Sequence, residues 1–155
     1  MWNRKRSVTL SIVVCFVFLV ILTLGLFLGP WLVEMWFSIY RGWSDNLTAM
    51  KTIITIFCVC YYPCSVFAYI TLFSLIKLLF NIKKDEIFIT ANVKYLRSIS
   101  WCCFAVAFVT FVGGFFYIPF GFIAIAAAFV GLMLRIVKNV MQNALEIKAE
   151  NELTI

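Results

Sequence analysis

No charged residue occurs from Ser7 to Val33, from Thr52 to Ile76 or from Ser98 to Leu134. Each of the first two stretches exceeds the roughly 20 apolar residues that cross a bilayer as a helix. The third is 37 residues long, about 55 Å as one helix, against a hydrocarbon core of about 30 Å. It must therefore fold back on itself. Three stretches thus become four spans, and the expected fold class is all-α: an integral membrane protein with four transmembrane helices, at about residues 9–28, 53–78, 99–117 and 122–140. The whole chain, 1–155, forms one membrane domain. A loop at 81–98 and a tail at 141–155 are its polar appendages, too short to bury a soluble core.

The net charge of +6 raises the question of nucleic acid, and the placement of the charges answers it. Arg4, Lys5, Arg6, Lys77, Lys83, Lys84, Lys94, Arg97, Arg135, Lys138 and Lys148 fall on one side of the spans, and only Arg41 and Lys51 on the other. Lysine and arginine accumulate on the cytoplasmic side, so both termini are expected in the cytoplasm. The excess then faces an anionic lipid leaflet, and no direct nucleic-acid binding is expected. The N-terminus mimics a secretory signal, but its apolar run is longer than a signal core and lacks a small-residue cleavage site. It is read as an uncleaved first span.

Within this frame, Gly29-Pro30 is expected to stop the first helix. Trp31, Trp36, Tyr40 and Trp43 then mark a membrane interface, with the stretch Trp31–Gly42 either lying in that interface or extending the helix past it. Asn46-Leu47-Thr48 fits a glycosylation acceptor in the outer loop, a three-residue pattern that is common by chance. Pro63 lies within span two, where proline kinks a helix. From Thr90 a helix should start and run unbroken into span three, with Val93, Leu96 and Ile99 opposite Lys94 and Arg97. The bend between spans three and four is placed near Ile118-Pro119-Phe120-Gly121, with Gly113-Gly114 as an earlier alternative. Ala124/Ala128 and Ala127/Gly131 are small-xxx-small pairs that let helices approach closely, within the chain or in a homo-oligomer. Beyond Arg135 a helix continues, then turns acidic from Glu146 to Glu152, where the expectation is a fraying tail.

Motifs for chemistry are few. No Asp, Glu, Lys or Arg falls at a span midplane, where proton relays and ion pathways place them. Glu34 and Asp45 make no credible acid–base pair, so the chain is not expected to be an enzyme. All six cysteines lie inside predicted spans and behave as small hydrophobes. Cys60 and Cys64 share a helix face, but with no histidine a metal site lacks ligands. No metal and no cofactor are expected.

Glu86-Ile87-Phe88-Ile89-Thr90-Ala91-Asn92-Val93-Lys94-Tyr95-Leu96-Arg97 is similar to the inner-loop signature of the YoaS-like family, small bacterial membrane proteins classed as a domain of unknown function. Ala149-Glu150-Asn151-Glu152-Leu153-Thr154-Ile155 resembles that family's terminal segment. The resemblance implies a multi-pass protein of the bacterial inner membrane, functionally linked to a small helix-turn-helix regulator. It also implies that function resides at the cytoplasmic face, with Asn92, Arg97, Asn151, Glu152 and Thr154 as the polar candidates. The resulting expectation is a protein that docks a cytoplasmic or membrane protein partner through loop 81–97 and tail 141–155. The alternatives are a small channel or permease component, hinged at Pro63 and Gly113-Gly114, and an immunity-type protector against membrane-active peptides.

Overall fold

The structure, a computed structural model, describes residues 4–40 and 47–153. It contains four helices: α1 (Arg4–Tyr40), α2 (Leu47–Lys83), α3 (Thr90–Gly114) and α4 (Pro119–Leu153). Each is long and apolar enough to cross a membrane, over Arg6–Met35, Ile54–Lys83, Thr90–Gly114 and Pro119–Asn151. Helix is the natural state for such segments, because it satisfies every backbone group internally where no water is available. Arg41, Trp43, Asp45, Asn46 and Thr154 lie outside the described residues.

The helices stand in a row rather than a closed bundle. Among the described residues α1 packs on α2, α2 also on α3, and α3 also on α4, while α1 meets neither α3 nor α4. The molecule exposes 11109 Å², where a compact soluble chain of 17.8 kDa would expose about 8,000 Å². Much of that surface is apolar, including Phe27, Phe108, Phe115 and Phe122, as lipid contact requires. α3, flanked on both sides, is the most buried of the four.

Each seam is built on a small residue. Tyr61 of α2 lies in a seat formed by Gly25 and Gly29 of α1, where a Cβ would stand 2.6 Å and 3.3 Å from the tyrosine. Beside it Thr23 Oγ1 donates to the Leu19 carbonyl at 2.8 Å. That leaves it to accept from the Tyr69 hydroxyl at 2.9 Å. Gly113 of α3 meets Cys60 Sγ of α2, and Gly131 of α4 meets Cys103 and Phe104 of α3. Ser100 Oγ closes the last seam by donating to the Gly131 carbonyl at 2.9 Å. Gly131 and the buried Ala124 therefore serve packing within the chain.

Two boundaries differ from expectation. Helix α1 does not stop at Gly29-Pro30 but takes the extended alternative and runs on to Tyr40. Proline removes one hydrogen bond, whereas ending a helix exposes several backbone groups, so continuing is cheaper. The α3–α4 bend lies at Phe115–Ile118, and each flanking helix boundary falls three residues earlier than the expected 117 and 122. Pro119 is not in the turn but opens α4, where its missing N–H costs nothing. Ile118, as the residue before proline, is pushed out of helical conformation. As expected, α3 begins at Thr90; α4, where a fraying tail was expected from Glu146, instead stays helical through Leu153.

The close approach at the bend makes opposite forecasts for two glycines. At Gly114 a Cβ would lie 3.1 Å from the Gly121 nitrogen and 3.2 Å from its Cα, whereas at Gly121 a Cβ meets nothing within 4 Å. Backbone cannot yield as a side chain can. Gly114→Ala should destabilise by about 1–3 kcal/mol, and Gly121→Ala should stabilise by about 0.5–1 kcal/mol, read by denaturant unfolding in micelles. Equal effects at the two positions would contradict this packing.

Candidate functional site

Of the polar candidates, Asn92, Arg97, Asn151 and Glu152 are described, and they lie at one end of the row, where α2 ends, α3 begins and α4 runs on past its apolar half. The loop between α2 and α3 is a folded cap. Glu86 N–H donates to the Asn81 carbonyl at 3.0 Å and Asp85 N–H to the Ile82 carbonyl at 3.1 Å. Asp85 has φ of 64°. This is a Schellman closure, with an aspartate in the left-handed position that glycine usually fills. The cap brings Asn81 opposite Asn92.

Asn92 is 0 % exposed and fully engaged. Its Oδ1 accepts from Asn81 Nδ2 at 2.8 Å. Its Nδ2 donates to the carbonyls of Glu86 and Ile87, each at 2.8 Å. One side chain therefore ties α2, the loop and α3 together. No aspartate could replace it, since both amide hydrogens are used. Asn92 cannot itself touch a partner; it fixes the loop that presents Glu86, Ile87 and Phe88.

Arg97 lies five residues further along α3, which turns it well away from Asn92 on the helix. It is exposed and lines a groove between α3 and α4. Thr90, Val93 and Lys94 form the α3 wall with it, and Gln142, Leu145, Glu146 and Ala149 form the α4 wall. The groove encloses about 430 Å³. Gln142 Nε2 donates to Glu146 Oε1 at 3.2 Å along the α4 rim. Asn151 is exposed on the last turns of α4 and is not among the described groove-lining residues. Glu152 is part of the same helix. The structure thus splits the sequence candidates: Asn92 is internal, Arg97 faces the groove, and Asn151 lies beyond it.

A second cleft, missed by sequence reasoning, opens one turn nearer the apolar half. Arg97, Ser100 and Trp101 of α3 face Arg135 and Lys138 of α4 across about 290 Å³. The Arg135 guanidinium lies over the Trp101 ring at 6.0 Å. On the other side of α3, Lys77 Nζ stands 6.0 Å from the Tyr95 ring. The available signal was the Arg97–Trp101 spacing of four, which puts a cation and an aromatic on one helix face. The cysteines take packing positions: Cys15, Cys60 and Cys102 are buried, and all six are free thiols. Among the described residues no group of three or more His, Cys, Asp or Glu is placed to hold a metal ion.

The arrangement defines a class: an all-α protein whose four helices suit a membrane and whose polar features collect at one end. Residues 38–155 match the family described as Protein of unknown function (DUF2975), and the chain belongs to that family. No curated protein and no solved structure matches it. The match covers α2, α3 and α4 and begins just before the end of α1, so it takes in the whole basic end apart from the N-terminal helix.

Removing the Asn92 amide should loosen the α2–α3 cap. Asn92→Ala leaves Asn81 and two carbonyls without their partner and should cost roughly 2–4 kcal/mol. Limited proteolysis should then cut within residues 84–89 before any other site. Unchanged stability and an uncut loop would contradict the role assigned to this side chain.

Proposed function

We propose that this chain is a non-enzymatic, multi-pass protein of the bacterial inner membrane that docks a protein partner at its basic, cytoplasmic end. The observation that carries this reading is the groove between α3 and α4, which joins the two segments that sequence analysis linked to function. Its floor is apolar, with Val93, Leu145 and Ala149, and its rims carry Lys94 and Arg97 on one side and Glu146 on the other. An apolar trough between rims of opposite sign suits an amphipathic helix, which lays anchors into the trough and its charges along the rims. The orientation rests on the placement of eleven of thirteen basic residues at this end. A cytoplasmic regulator functionally linked to the chain would be a partner of this kind.

Two of the hinge residues of a channel reading, Gly113 and Gly114, have other work here. Gly114 is in backbone contact distance of Gly121, and Gly113 supports Cys60. Both stiffen the helix row, which favours a fixed docking surface over a gate.

Affinity purification from native membranes into nanodiscs tests the proposal. Full-length chain should carry a protein companion. That companion should fall at least about tenfold when Leu145 and Ala149 are both changed to Glu, or when the chain is truncated after Ile147. The same companions at the same yield in all three samples would contradict docking through this groove.

A further inference from the structure

We propose that the cleft formed by Arg97, Ser100, Trp101, Arg135 and Lys138 binds the phosphate headgroup of an anionic phospholipid. Three cations converge on it, and among the described residues lining it there is no carboxylate to neutralise them. Like charges brought together around a cleft repel one another unless an anion sits among them. A phosphate supplies that anion and accepts hydrogen bonds from guanidinium groups in a geometry that matches its oxygens.

The position in the chain points to lipid rather than to a soluble phosphate. Arg97 is the last charged residue before the uncharged stretch Ser98–Leu134, and Arg135 is the first after it. The two arginines therefore mark the edge of the apolar zone on adjacent helices, the depth at which lipid phosphates lie. Trp101, 62 % exposed, is the kind of ring that collects at this level. Away from the cleft the same face continues with Phe108 of α3 and with Phe115, which caps that helix in helical conformation, exposed by 70 % and 78 %. At 3.6 residues per turn, Arg97, Trp101, Phe108 and Phe115 fall within roughly 40° of arc. A headgroup held by Arg97 thus has an apolar rail beneath it for an acyl chain.

Selectivity follows from what the cleft lacks. A zwitterionic lipid would bring an ammonium or choline group among three cations, with no carboxylate there to receive it. The Trp101 face, which could otherwise receive that cation, already carries Arg135. The inference requires the helices to sit in a bilayer, but neither their sidedness nor docking in the neighbouring groove.

Native mass spectrometry of the full chain, released from detergent with defined lipids, tests it. Wild type should retain phosphatidylglycerol over phosphatidylcholine by at least about tenfold. Changing Arg135 and Lys138 together to Gln should weaken phosphatidylglycerol by about thirtyfold. Lys138→Gln alone keeps Arg135 on Trp101 and should lose about fivefold, which repeats the test in a milder variant. Lys83→Gln with Lys84→Gln removes the same charge at the same end, outside the cleft, and should leave retention unchanged. Equal retention of the two lipids would overturn the proposal, as would a loss in the Lys83/Lys84 control as large as in the cleft variant. Displacement of phosphatidylglycerol by excess inorganic phosphate would overturn the lipid assignment and leave a soluble-anion site.

Discussion

In lipid, apolar side chains gain little by leaving their surroundings for one another, so helices are held by close fit and by a few hydrogen bonds. The four helices, long and apolar enough for a membrane, are joined in a way that would meet that constraint: among the described residues each of the three seams has a glycine seat and a side-chain hydrogen bond between helices. Gly25 and Gly29 receive Tyr61 while Tyr69 bonds Thr23. Gly113 receives Cys60 while Asn81 bonds Asn92. Gly131 receives Cys103 while Ser100 bonds its carbonyl. The bonds hold each pair in register along the helix axis, and the glycines set how near the axes come.

That register produces the polar end. Ser100 on Gly131 puts Arg97 beside Arg135 and Lys138, and Val93 beside Leu145, since α3 and α4 run antiparallel through a four-residue turn. Asn92 on Asn81 then draws the preceding loop over the end of α2. The groove, the basic cleft and the capped loop are consequences of one packing arrangement, with Arg97 lining both hollows. The family match over residues 38–155 covers the α2–α3 and α3–α4 seams that create this end. Of the first seam it covers only the α2 side.

Much of the fold was legible because exclusion of charge is so strong a signal. Three uncharged stretches, one of them too long to be a single span, gave four helices and their order. The start of α3 at Thr90 was legible too, from its apolar spacing. The run through Pro30 was not, because the rule that proline follows a helix end comes from water, where a freed carbonyl finds a partner. The Gly25–Gly29 seat was overlooked for a related reason: glycine spacing matters only when a partner such as Tyr61 is known to face it. Asn92 was legible as a residue of interest but not as an internal one, since its three bonds reach residues 81, 86 and 87 around a bend. The basic cleft joins positions 97 and 135, and no local pattern announces that they meet.

The central claim is that residues 90–97 and 142–149 lie side by side and form one surface. Spin labels carried by non-natural amino acids at Lys94 and Glu146, with all native cysteines left in place, measure this directly in nanodiscs. Helix axes in contact are about 8–10 Å apart, so a single short, narrow distance distribution is expected. A broad distribution, or one centred on a long distance, would mean that α4 leaves α3 beyond Arg135 and that the groove does not exist.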